Sequence, residues 1–345
     1  WMVMTKQNLF ELRADGTAVI VDLTSGSPSI LHWGADVGSA SAHLVTATVD
    51  PVPHADLDAP IKPGLWRENA SGFLGRPAIL GHRSGRDWSQ KFEITDVTHS
   101  ENSLQITAED SLAGLRVEAS LSLNDFGILF VHQTLTNLGN SNFDLAEFNT
   151  WLPLPEHVAE SLDYTGAWIK ERQPQRRQIQ TGIWSREVRE GRSSHDYTIA
   201  QLAMSAAANY QHGEVWSVGL QWSGNSRHLI ERQPTGRTTI GAGELLLPGE
   251  IILEPGATYY VPTVVAAYSN QGIDGITDRH YRWLRSRANH PTNIKPRPLT
   301  LNVWEAVYFN HNLQKLTELA DVAKEVGVER FVLDDGWFGS RRNDH

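Results

Sequence analysis

The stretch FVLDDGWF, residues 331–338, sets two adjacent carboxylates, Asp334 and Asp335, between three apolar residues and a glycine followed by two aromatics. Carboxylates accept hydrogen bonds from hydroxyl groups, and an aromatic ring covers an apolar C–H face, so the combination suits a sugar. An apolar run that ends in acidic residues reads as a parallel strand, whose C-terminal end is where βα architectures bind ligands. Trp304 ends the preceding expected strand and therefore belongs on the same rim. A second reading stays open at this point, because Asp-Asp-Gly is also a turn sequence with a helix-capping tendency. The pair does not suit the acid and nucleophile of a retaining glycosidase. Those two carboxyls stand roughly 5–5.5 Å apart across the scissile bond, whereas neighbours at a strand end diverge. Hydroxyl binding is the chemistry they fit.

Other combinations of reactive residues offer less. SSHD (193–196) places Ser, His and Asp side by side, but a catalytic triad needs convergence in space and not adjacency in sequence. The 14 histidines show no HExxH or comparable ligand spacing, so neither a metal site nor a cofactor is expected. ERQPQRRQ (171–178) is basic but short and reads as a solvated loop.

The elements that must position Asp334 and Asp335 follow from periodicity. Up to about residue 270 the period is two: Leu115, Val117, Ala119, Leu121 and Leu123 alternate with Arg116, Glu118, Ser120 and Ser122, the pattern of a half-buried antiparallel strand. NDFG (124–127) turns the chain into a return strand, ILFVHQTLTN. VWSVGLQW repeats the alternation with Trp216, Val218, Leu220 and Trp222 on one face, and further strands are expected at 17–23, 103–109 and 258–268. Many short strands with Gly, Pro and Asn turns define a large β-sandwich. After residue 270 the period turns helical, with helices expected over about 272–287 and 312–326, the second stopped by Gly327. Between them NHPTNIKPRP (289–298) reads as a stiff linker, LTLNVW (299–304) as a buried strand, and RFVLDD (330–335) as a second one. Strand, helix and strand make a βαβ unit with parallel strands. The expected organisation is a sandwich domain with its terminal helix at 1–288, a linker at 289–298 and the start of a second domain at 299–345. A lone βαβ unit leaves sheet faces and edges without partners, so the chain reads as ending early in that domain.

Composition narrows the class. The chain has 345 residues, 40% hydrophobic and 20% charged, which is a globular composition. A net charge of −10 argues against a nucleic-acid partner. No apolar run reaches the roughly 18 residues of a membrane helix. The zero cysteine count excludes disulfides and thiolate chemistry. WMVMTKQNLF lacks a basic leader with an apolar core, so a cytoplasmic location is expected. Most of the twelve tryptophans are expected in the core, the rest being available to stack on sugars.

The run from Leu301 to Asp344 resembles the start of the catalytic barrel of glycoside hydrolase family 36, the bacterial α-galactosidases. The family's WEA-x-YF segment stands here as Trp304 to Phe309, and LDDGWFG as Leu333 to Gly339. Upstream, FLGRPAILGHRSGRDWS (73–89) and GAWIKERQPQRR…GRSSH (166–195) resemble segments of its N-terminal domain. The resemblance implies a mainly β fold: a large antiparallel β-supersandwich, then the first βαβ unit of a (β/α)8 TIM barrel. It implies retaining hydrolysis of terminal α-linked galactose, as in melibiose or raffinose, through a covalent galactosyl–aspartate. It also implies that Asp334 and Asp335 bond the galactose 4- and 6-hydroxyls, and that Trp304 lines the sugar. Trp168, flanked here by IKE where the family more often has ARE, matches a tryptophan that reaches a neighbouring subunit's pocket in tetrameric members. The family's nucleophile and acid/base aspartates lie on later barrel strands, so no catalytic residue is expected within these 345. Two rival readings are a non-catalytic carbohydrate-binding or assembly module, and an α-N-acetylgalactosaminidase or transglycosylase on the same scaffold. A binding module has no need of a barrel strand.

Overall fold

The computed structural model describes residues 8–39, 54, 64–196 and 200–338. The chain divides into two compact units, Trp1–Arg282 and Trp283–His345. The division falls within the helix Gly272–Ser286, a few residues before the expected boundary at 288.

The first unit is built from antiparallel strands. Its largest sheet has nine, in the order Lys170–Gln178, Val158–Ala167, Ala200–Ser205, Val215–Leu220, Thr258–Ser269, Ile128–Asn137, Leu115–Leu123, Ser103–Asp110 and Glu93–Ser100. One sheet of four strands and two of three complete the unit, and side chains from all four sheets meet in one apolar core. The alternation is the cause. Leu115, Val117, Ala119, Leu121 and Leu123 are buried while the intervening residues turn outward. The turn after Leu123 is set by Asn124, whose Oδ1 accepts from Phe126 N at 3.0 Å and Ile128 N at 2.9 Å. Gly127 there adopts φ 68°, which favours glycine.

The tryptophans depart from expectation. Trp33, Trp66, Trp151 and Trp216 are buried, but Trp88, Trp168, Trp184, Trp222 and Trp337 are exposed. Trp222 lies beyond the last paired residue, Leu220, so the face it was expected to share ends before it. The buried indoles have reasons to be inside: Trp66 Nε1 donates to Gln133 Oε1 at 3.0 Å, and Trp216 Nε1 to the Trp33 carbonyl at 3.0 Å. ERQPQRRQ is not a loop. It forms the edge strand Lys170–Gln178, antiparallel to Val158–Ala167 with a register shift between Thr165 and Ala167, and an exposed edge tolerates its charged side chains and Pro174.

The second unit holds a strand, a helix and a strand. Thr300–Asn302 pairs in parallel with Arg330–Val332, and the helix Leu313–Glu325 connects them. Asn312 caps that helix by accepting from Lys315 N at 3.1 Å, and Gly327 follows its end at φ 84°. Both strands are shorter and more exposed than expected, three residues each, because a two-stranded sheet has no second layer among the described residues to bury Leu299 or Phe331. The expected linker contains one helical turn, Pro291–Ile294, since proline suits the first helical position and His290 caps it. The fold is mainly β: an antiparallel supersandwich followed by the strand–helix–strand that opens a (β/α)8 barrel. No described helix is long and apolar enough to cross a membrane.

Candidate substrate-binding site

Asp334 and Asp335 stand just past the C-terminal end of the strand Arg330–Val332, in the turn that follows it, and both are half-buried. Asn302 closes the neighbouring strand, and the register that pairs it with Val332 brings the two strand ends side by side. Its Nδ2 donates to Asp334 Oδ2 at 2.5 Å, and its Oδ1 accepts from Trp304 N at 2.8 Å. The Asp335 N–H donates to Asp334 Oδ1 at 2.7 Å. The Asn302 bond, then the Asp335 amide and the nearby His311, hold the Asp334 carboxyl below the usual carboxylate range. The Asp335 carboxylate accepts no protein hydrogen bond among the described residues.

Trp304 does not end its strand. It opens a short helical turn, Trp304–Val307, because the Asn302 side chain captures its N–H and bends the chain there. The turn stops at Tyr308, which takes φ 47° and ψ −128°, a conformation that costs a non-glycine residue about 1–3 kcal/mol. The bend brings two rings edge-on to the indole, Tyr308 at 5.2 Å and Phe309 at 5.1 Å between centroids. Phe309 in turn meets Phe338 at 6.4 Å, so the aromatics of the two motif segments join. Gly339, the last residue of LDDGWFG, lies outside the described residues.

Two participants were missed from sequence. Asn302 gave no signal, since an asparagine at a strand end is commonplace. His311 lies in the loop before the second helix. Its Nε2 is shielded from solvent without a partner, and a Cβ on Gly336 would come within 3.0 Å of that atom. Gly336 also takes φ 102°, the conformation that favours glycine there.

Trp168 belongs to the first unit. It and Ile169 form the two-residue tip of the hairpin between Val158–Ala167 and Lys170–Gln178, and they are 75% and 79% exposed. Ile169 is at φ 64°, an unusual conformation for a β-branched residue. The hairpin is braced at its base by Asp196 of the SSHD run. Asp196 Oδ1 accepts from Gly166 N at 3.0 Å, from the Thr165 hydroxyl and from Arg186 Nη2. Burial raises the Asp196 pKa, but these donors outweigh it and the net shift is downward. His195 meets the Trp168 ring edge-on at 6.0 Å. The run is thus a structural support. No group of three or more His, Cys, Asp or Glu is placed to hold a metal ion among the described residues.

The carboxylate pair follows one parallel strand and the indole lies two residues past the other, an arrangement whose chemistry suits the binding of a sugar. The family model described as glycosyl hydrolase family 36 N-terminal domain matches residues 26–254, and the one described as melibiase matches residues 258–345. The chain belongs to glycoside hydrolase family 36. It is 38% identical over 315 residues to an α-galactosidase of Escherichia coli, covering 91% of this chain and 44% of that protein. It is 31% identical over 277 residues to α-galactosidase AgaA of Geobacillus stearothermophilus, covering 79% and 37%. The crystal structure of the family 36 α-galactosidase AgaB from Geobacillus stearothermophilus superposes with a TM-score of 0.85 at 25% identity, over 99% of this chain and 51% of that one. A structure of an AgaA variant in complex with raffinose gives 0.81 at 25% identity, over 97% and 51%. The chain spans about half the length, or less, of these relatives.

Proposed function

We propose that the whole protein is an α-galactosidase that removes terminal α-linked galactose from oligosaccharides such as melibiose and raffinose, with retention through a covalent galactosyl–aspartate. One observation carries this reading: Asp334 and Asp335 stand just past a parallel-strand end, Asp334 tied through Asn302 to Trp304, inside the segment that the melibiase model matches. Asp334 and Asp335 accept bonds from the galactose 4- and 6-hydroxyls, and Trp304 covers a C–H face of the ring. The axial 4-hydroxyl separates galactose from glucose. A carboxylate fixed to meet it and left without it is penalised, so the pair discriminates between the epimers. The nucleophile and acid/base aspartates belong to later barrel strands, as in the family.

The exposed Trp168 tip supports a homo-oligomer, a tetramer in which this indole reaches a neighbouring subunit's pocket. The experiment is a substrate panel on the whole protein: p-nitrophenyl α-galactoside, its β-anomer, the α-glucoside and the α-N-acetylgalactosaminide, with the first-formed sugar anomer followed by NMR. Turnover of the α-galactoside with α-galactose released first is expected. Preference for another glycoside, or β-galactose released first, overturns the reading.

A further inference from the structure

We propose that Asn302 is the positioning residue of this site, a single side-chain amide that orders Trp304 and Asp334 together; the role in catalysis rests on the galactose-binding reading above. A carboxamide offers an acceptor and a donor from one rigid plane. Here Oδ1 takes the Trp304 N–H at 2.8 Å, and Nδ2 gives to Asp334 Oδ2 at 2.5 Å. The Asp335 N–H occupies Asp334 Oδ1 at 2.7 Å. Each carboxylate oxygen thus has one protein donor, which fixes the plane of the carboxylate and leaves a lone pair on each oxygen for a ligand hydroxyl.

No neighbouring side chain duplicates this tie. Neither the His311 Nε2, which has no hydrogen-bond partner, nor the Asp335 side chain bonds to Asp334 among the described residues. Near relatives of asparagine fail in different ways. Aspartate would keep the Trp304 turn but set a carboxylate against a carboxylate. Serine would keep the turn, because its hydroxyl also accepts from the N–H two residues on, but it is too short to reach Asp334. Asn302→Ser therefore isolates the arm that holds Asp334.

Two measurements test the proposal. In the whole protein, the Asp334 carboxyl is followed by 13C NMR titration and assigned by its disappearance in Asp334→Asn. Asn302→Ser should raise its midpoint toward the ordinary carboxylate value, and an unchanged midpoint overturns the proposal. In the whole protein, Asn302→Ser should lower kcat/KM for p-nitrophenyl α-galactoside about tenfold, yet cause no further loss in an Asp334→Asn background. Additive losses would show that Asn302 acts by another route and overturn the positioning role. If the whole protein turns over no α-galactoside, the functional reading fails while the titration still decides the link between Asn302 and Asp334.

Discussion

At the scale of residues, the site gains its direction from donors that surround one carboxylate. Asp334 is half-buried and receives the Asn302 amide and the Asp335 N–H, so its charge is fixed in place before any ligand arrives. Replacing one of its oxygens by an amide nitrogen turns an acceptor into a donor with almost no change in volume. Asp334→Asn in the whole protein is expected to fold normally and to lose about thirtyfold in kcat/KM on an aryl α-galactoside, as when a charge-assisted bond to substrate is removed. Steady-state kinetics check it, and a change below about fivefold would mean that Asp334 does not hold the sugar. The carboxylate pair was legible in sequence because acidic residues after an apolar run are unusual enough to register. Asn302 and Asp196 were not, because their roles depend on which strand end or hairpin lies beside them, and side-chain type carries no record of that.

At the scale of elements, two kinds of signal behaved differently. Period-two alternation located the sandwich strands to within a residue or two, as at Leu115–Leu123 and Ile128–Asn137, since each buried side chain reports the same sheet face. Strand ends were poorer. Trp304 was expected to finish a strand, but the strand ends two residues earlier, at Asn302, whose side chain takes the Trp304 N–H and starts a helical turn there. ERQPQRRQ, basic and short, suggests a loop, yet an edge strand needs one bonded side only. The Trp168 hairpin joins this strand to its neighbour, and Asp196 ties its base through Gly166, Thr165 and Arg186. Because the folded pKa of Asp196 is depressed, its contribution is complete above the ordinary aspartate value near about 4 and is lost as pH falls through the folded value. Amide exchange should therefore show Gly166 protection that falls in strong acid, and that is low at every pH in Asp196→Ala. Protection indifferent to both would remove the brace.

At the scale of the whole molecule, the sandwich carries buried charge as well as apolar packing. Arg67 is 1% exposed, pairs with Glu231, donates to the Thr239 hydroxyl at 3.1 Å and lies 3.9 Å from the Trp151 ring centroid. Glu231→Gln would leave that guanidinium without its counter-charge and should cost about 3–5 kcal/mol, read as a lower urea midpoint. A loss under about 1 kcal/mol would mean that the aromatic rings and Thr239 suffice. In the proposed function, the groups assigned to galactose, Asp334 and Asp335 with Trp304, lie within residues 1–345. The family resemblance assigns the nucleophile and the acid/base to later strands of the barrel. Hydroxyl bonds at an open rim compete with water, and binding groups without the reacting carboxylates retain little of the rate. The most direct measurement is to assay purified residues 1–345 and the whole protein side by side on p-nitrophenyl α-galactoside. Turnover by the whole protein and none above the buffer rate by residues 1–345 is the predicted result, whereas comparable turnover by the two would place the catalytic carboxylates within these residues and contradict it.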